Sequence, residues 1–253
     1  MSHALNVVIT GAGRGLGAAV ARRAAREGAA VTVADLDGDH AEEVAAALRA
    51  DGHRADAIQV DVTDEDGVRQ MMADAVVRNG PLTGVVNAAA TIAAGPLEQT
   101  TSSTFARVME VNVTGTFHVS KWAVHTFLAQ GSGGAIVNIG SISALAGLPG
   151  QSAYCASKGA VVALSRQIAT DYAKHGIRCN VVGPGSIDGE FLDGYLADQP
   201  DPERAREAIT AAHPIGRIAT PGEIAGPVWF LLTPDAAFVA GANLQVDGGY
   251  TAV

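Results

Sequence analysis

The chain is short of cysteine, of aromatics and of positive charge, and each shortage removes a class of protein. Two cysteines, Cys155 and Cys179, are too few for a disulfide scaffold or a zinc site. The seven histidines show no metal-ligand spacing, and His118 and His125 stand seven apart with no third ligand near them, so no metal is expected. Seventeen Lys and Arg against 26 Asp and Glu leave a net charge of −9, and the basic residues are scattered. A nucleic-acid surface needs a clustered basic footprint, which this chain lacks. The acidic balance also disfavours an acidic protein partner. No apolar run reaches the length of a membrane span. The opening "MSHALNVVIT" has no basic start, apolar run and cleavage site of a secretory signal. The expectation is a soluble, cytoplasmic chain.

What the chain has in quantity is small and apolar residues: 30 glycines, and 48% hydrophobic over 253 residues. That length supports one large, well-buried core. Short Val/Ile/Leu-rich runs at 5–10, 30–35, 55–60, 83–88, 134–140, 177–183 and 243–247 alternate with helical patterns. Those patterns lie near 15–28, 38–50, 64–79, 101–130, 152–175 and 221–232. Continuous apolar runs are what strands buried on both faces require. Regular β-α alternation then predicts an α/β fold, a doubly wound parallel sheet of about seven strands with helices on both faces. No linker interrupts the pattern, so 1–253 is expected to be a single domain. The exception is a mixed acidic and apolar stretch at 186–220. Lying after the sixth strand, it is placed to cover a ligand bound outside the carboxyl ends of the strands.

In "VVITGAGRGLGAAVARRAA" a strand runs through Gly11, Gly15 and Gly17 into a helix. Glycines permit a tight turn and close backbone approach, and the helix N-terminus offers free N–H groups to a pyrophosphate. Asp35 closes the second strand, 18 residues beyond Gly17. A carboxylate there accepts from both adenosine ribose hydroxyls and repels a 2′-phosphate, which favours NAD over NADP. Arg14, inside the loop, is the opposing signal, although Leu36 supplies no second cation beside Asp35. Asp61-Val62 after the third strand, and Asn87-Ala88-Ala89-Ala90 after the fourth, place small and polar residues at further strand ends against a cofactor.

Tyr154 and Lys158, in "SAYCASKGA", are four apart and so share a helical face. Taken alone, the pair fits either a reactive site or the wet side of an amphipathic helix. Set among the other motifs, it resembles the YxxxK signature of the short-chain dehydrogenase/reductase family. Thr10-Gly11 to Gly15-Leu16-Gly17 is similar to that family's TGxxxGxG, and "MEVNVTG" to the segment carrying its active-site asparagine, here Asn112. "VNIGSISA" resembles its serine motif, with Ser141 placed 13 residues before Tyr154. "VVGPG", with Pro184 and Gly185, and "GANLQVDGGY" complete a likeness over nearly the whole chain. Two positions depart from the pattern. Ala90 stands where the fourth-strand motif usually ends in glycine. Gly189 stands where a nicotinamide-binding threonine is common, so Ser186 or a backbone group near Ile187 would serve there.

The resemblance implies a Rossmann-like fold and hydride transfer between a nicotinamide and a secondary alcohol or its ketone. Tyr154 would exchange the proton, Lys158 would hold the nicotinamide ribose, Ser141 would bond the substrate oxygen, and Asn112 would hold a water near Lys158. Free tyrosine has a pKa of about 10, so a working base needs ~4 kcal/mol of preference for phenolate. One cation at ~4 Å in an effective dielectric of ~20 is worth ~4 kcal/mol before desolvation. Lys158 is such a cation. Cys155 and Ser157, between the pair, are expected to pack. Phe191, Leu192, Tyr195 and Leu196 would line an apolar pocket for a small or medium alcohol. Two other activities share these motifs: an NADPH-dependent 3-oxoacyl-carrier-protein reductase, and a non-catalytic relative that binds NAD. The resemblance also implies a homotetramer paired through the helices at 101–130 and 152–175.

Overall fold

The computed structural model describes residues 5–252. Its seven strands are β1 (Asn6–Thr10), β2 (Ala30–Asp35), β3 (Ala55–Gln59), β4 (Gly84–Asn87), β5 (Gly134–Ile139), β6 (Ile177–Pro184) and β7 (Asn243–Val246). All neighbours pair in parallel, in the order β3-β2-β1-β4-β5-β6-β7. The apolar runs therefore sit in the sheet they predict, with β1, β2 and β4 buried along almost their full length. Successive strands step outward from β1 to β3, then cross back to β4 on the other side of β1. That reversal leaves a crevice at the carboxyl ends of β1 and β4, where Thr10 pairs with Asn87.

Helices cover both faces. One face packs α1 (Gly15–Arg26), α2 (Gly38–Ala50) and α9 (Pro221–Leu232) through Val20, Leu48, Ile224 and Leu231. The other packs α3 (Glu65–Asn79), α5 (Thr116–Gln130) and α6 (Ser152–Tyr172) through Met71, Met72, Phe127 and Ile168. Helix starts follow local chemistry. Asp37 and Asp64 cap α2 and α3 by accepting from backbone N–H groups, and Thr220 and Glu223 form a capping box on α9.

Two segments depart from the sequence pattern. The single helix expected over 101–130 is α4 (Ser102–Met109) and α5, joined by one π-helical turn over Glu110–Gly115. A widened turn of this kind is characteristic of functional sites, and it carries Asn112. The stretch at 186–220 forms two helices, α7 (Glu190–Ala197) and α8 (Pro202–Ala211). Its two ends meet at a neck: Ile187 bridges Ala219, the Asp188 N–H donates to the Ala219 carbonyl at 2.8 Å, and the Ala219 N–H donates to the Ser186 carbonyl at 3.1 Å. Among the described residues no helix is long and apolar enough to cross a membrane.

Candidate active site

A cleft of about 840 Å³ runs along the carboxyl ends of the strands, from the glycine loop to α7 and α8. At one end the β1–α1 turn is shaped by what a side chain would strike. A Cβ on Gly17 would lie 2.1 Å from the Gly11 carbonyl oxygen, so the turn closes only on glycine. Gly15 has φ +54°, and nothing stands within 4 Å of the place its Cβ would take, which leaves the N-terminus of α1 open. No acidic residue occupies that first turn, and no side chain caps it. An open helix N-terminus with free N–H groups fits a pyrophosphate.

Beside it, Asp35 accepts from the Gly13 N–H at 2.8 Å and the Asp37 N–H at 3.0 Å. Asp37 adds a second carboxylate at this strand end, held below the usual carboxylate range chiefly by the His40 N–H. Asp61 is held down by the Thr63 N–H, and then by the Thr63 hydroxyl, at 2.9 and 2.8 Å. It therefore remains an ionised acceptor in the cleft. Arg14 makes no ion pair with Asp35, although its charge is felt at Asp37. It pairs with Glu190 on α7 at 2.9 Å, spanning the cleft mouth from glycine loop to insertion.

At the other end α6 presents Tyr154 and Lys158 on one buried face. The Lys158 Nζ lies 5.4 Å from the centre of the Tyr154 ring and donates to the Ile139 carbonyl at 2.8 Å. Ser141, following β5, faces them. Its hydroxyl donates to the Ser143 Oγ at 3.0 Å and accepts from the Ser143 N–H at 3.1 Å. Phe191 of α7 stands against Tyr154, ring centres 6.2 Å apart.

Burial dominates the electrostatics of this pair. It pushes the Tyr154 phenol well above its ordinary value, with the Ser141 hydroxyl opposing the shift, and pulls Lys158 down to about 8. The expectation of a phenol lowered by Lys158 is thus corrected for the protein alone. Desolvation penalises both charged forms, and the ammonium, itself bonded to a carbonyl, does not offset it.

Of the residues singled out in the sequence, Gly11, Arg14, Gly15, Leu16, Gly17, Asp35, Asp61, Val62, Ala88, Ala89, Ser141, Tyr154, Lys158, Pro184, Gly185 and Ile187 line this cleft. Two do not. The Asn87 amide lies within the core, donating to Asn138 at 2.8 Å and to Ser120 at 3.2 Å, so its side chain ties β4 to β5 and α5 and does not reach a cofactor. The Asn112 amide accepts from the Thr91 N–H at 2.8 Å and donates to the Thr91 carbonyl and the Ser157 Oγ, using both donors and one of its oxygen's two lone pairs. Those bonds make Asn112 a strut between the end of β4 and α6. Ser157 in turn donates to the Tyr154 carbonyl at 2.7 Å, so it orients the helix carrying the reactive pair and is more than packing.

The sequence pattern also passed over His213. Buried at the end of α8, it accepts from the Ser186 N–H at 3.1 Å and bonds the Ile209 carbonyl at 2.8 Å, locking the turn after β6 to the insertion. Gly189, at φ +130°, adopts a backbone that L side chains rarely take, so a threonine there would require a rebuilt turn. Ala90 lines the cleft without disturbing it.

The family model described as "Enoyl-(Acyl carrier protein) reductase" matches residues 11–251. The chain belongs to the short-chain dehydrogenase/reductase family. It is 46% identical to "Inactive 2-(S)-hydroxypropyl-CoM dehydrogenase 2" of Xanthobacter autotrophicus, over 92% of this chain and all of that one. It is 43% identical to "Cis-4-hydroxycyclohexanecarboxylate dehydrogenase" of Sinomonas cyclohexanicum, over 97% of this chain and 96% of that one. Among solved structures, a gluconate 5-dehydrogenase from Burkholderia cenocepacia, in complex with NADP and tartrate, superimposes with a TM-score of 0.92. It is 31% identical and covers 98% of this chain and 96% of its own.

Proposed function

We propose that the protein is an NAD-dependent oxidoreductase that interconverts a small or medium secondary alcohol and its ketone by hydride transfer. The observation that carries this is one continuous cleft: a glycine turn fitted to a pyrophosphate at one end, and Ser141, Tyr154 and Lys158 together at the other. The nicotinamide cofactor would supply the hydride acceptor or donor. The chain's own residues do the rest. Ser141 holds the substrate oxygen, and the Tyr154 hydroxyl exchanges the carbinol proton. Lys158, whose Nζ lies 5.4 Å from the centre of the Tyr154 ring, would hold the nicotinamide ribose and add positive charge beside the phenol, which an oxidised nicotinamide would supplement. Asn112 and Ser157 hold the helix that carries the pair.

Asp35 at the end of β2 supports NAD, because a carboxylate lining the cleft there repels a 2′-phosphate. NADP is the second reading. The gluconate 5-dehydrogenase relative holds it, and Arg14 would be free to meet a phosphate if it left Glu190. An acyl-carrier-protein reductase would need a basic face for its acidic carrier, and the charge of −9 opposes that. A binding protein without turnover has no need of the Ser141–Tyr154–Lys158 set. By family likeness the chain is proposed to be a cytoplasmic homotetramer, a single domain in which 186–220 acts as a lid.

Initial rates with NAD and with NADP, across a panel of secondary alcohols, test the proposal. We expect at least one alcohol to be oxidised, with kcat/KM for NAD exceeding that for NADP by tenfold or more. An NADP preference would reverse the cofactor assignment, and inactivity with both would remove the enzyme assignment.

A further inference from the structure

The proposed chemistry leaves the polar side chain of Gln151 without a task. Gln151 lines the cleft, is 9% exposed, and stands immediately before α6, one helical turn from Tyr154. Its backbone is fixed: it bridges Gly95, and its carbonyl accepts from the Cys155 N–H at 2.8 Å. A polar side chain at a helix start commonly turns back to bond the free N–H groups, and this one does not. Instead its Oε1 accepts from the Ser143 Oγ at 3.4 Å, and Ser143 is itself bonded to Ser141. The Nε2 has no acceptor among the described residues, and it is not sealed from the cleft.

A neutral amide donor seeks an acceptor oxygen without requiring charge. The cations lining the same cleft are committed elsewhere: Arg14 to Glu190, Arg107 to Glu110, and Lys158 to the Ile139 carbonyl. Ile92, Ile142, Leu148 and Phe191 add apolar lining to the same cleft. We infer that Gln151 determines specificity, its Nε2 bonding a second oxygen of a neutral substrate one or two carbons from the reacting carbinol. Because Gln151 is joined to Ser141 through Ser143 alone, that oxygen lies close to the reacting one. The favoured substrates are then diols or hydroxyketones, in preference to mono-alcohols and carboxylates. The inference rests on the alcohol–ketone activity proposed above and sharpens its substrate class.

Matched pairs test it: butane-2,3-diol against butan-2-ol, and cyclohexane-1,2-diol against cyclohexanol. Wild type is expected to favour the diol of each pair in kcat/KM. Gln151→Leu is expected to lower that diol-to-mono-ol ratio about tenfold, the scale of a hydrogen bond whose buried partner is left unpaired. Calorimetric affinity for the diol should fall with it. Gln151→Met, closer in shape, guards against a disturbed helix start and should give the same fall. A ratio unchanged in both variants, or a wild type that prefers the mono-alcohols, overturns the inference while alcohol oxidation stands. No oxidation of either pair with NAD or NADP overturns the activity itself, and this inference with it.

Discussion

The glycine-loop and Tyr154 regions of the cleft are made from strand ends and buried side chains, whereas α7 and α8, anchored at their neck and by His213, meet each other and the glycine loop through ion pairs at the surface. Lys158, Asn112 and Ser157 are each nearly inaccessible to solvent and bonded to fixed partners. Within the insertion, Arg206 of α8 reaches Asp188 at 3.0 Å and Asp193 of α7 at 2.8 Å, and Arg14 of the glycine loop reaches Glu190, all at exposed positions. Exposed pairs of this kind are worth little and are screened by salt. The difference separates two jobs. On the proposed function, the reacting groups would be positioned by buried packing, and the insertion would be joined to the glycine loop by an exposed contact able to yield when substrate enters.

The sharpest way to break this comparison is in the rigid half. Gly17→Ala places a methyl 2.1 Å from the Gly11 carbonyl oxygen. We expect a loss of about 3 kcal/mol or more, as overpacking of a backbone contact entails, together with loss of dinucleotide binding. Chemical denaturation and a dinucleotide titration read both. A mild effect would mean the turn is as adaptable as the cover.

Lys158→Met is the next largest. Burial lowers Lys158 from 10.5 to about 8, so between pH 8 and 10 the unfolded chain binds this proton more tightly than the folded one. Folded-state stability should therefore rise with pH across that window, and the penalty should be complete below about 8. Removing the amine is expected to stabilise the cofactor-free protein by about 1–3 kcal/mol at pH 7. That lead should shrink toward pH 10, while turnover is lost. Denaturation curves at pH 7 and pH 10 check the sign; a destabilised variant at pH 7 would contradict the burial argument.

Arg206→Ala probes the yielding half and should do least. Stability is expected to change by less than about 1 kcal/mol, with KM for the alcohol rising a few-fold and kcat nearly constant. Wild type in high salt should move the same way. A large drop in kcat would show that the cover helps set the reacting geometry.

How far the sequence reached follows the same division. The inner strands were legible because strands buried on both faces are continuous apolar runs, as in "NVVIT" and "AVTVAD", whereas the half-exposed edge strands β3 and β7 showed through the regular β-α alternation. The cleft lining was legible wherever a motif sat at a strand end, since parallel topology brings those ends together. The π-helical turn at Glu110–Gly115 was not, because one widened turn barely changes the spacing of apolar residues along a helix. Asn87 was misplaced because alternate residues of a strand point to opposite sides, and its amide turned inward to Asn138. Gln151 and His213 escaped for a different reason. Their importance lies in partners 8 and 27 residues distant, Ser143 and Ser186, and nothing local marks such a pairing. The position of Gln151 just ahead of an apolar helix was the one available signal.

The central claim, that Tyr154 exchanges the proton at a hydride-transfer site, is tested most directly by Tyr154→Phe. With the best alcohol from the panel, turnover is expected to fall by about 10³-fold or more, while dinucleotide affinity stays within about twofold of wild type. Turnover near that of wild type, with the dinucleotide still bound, would contradict the account.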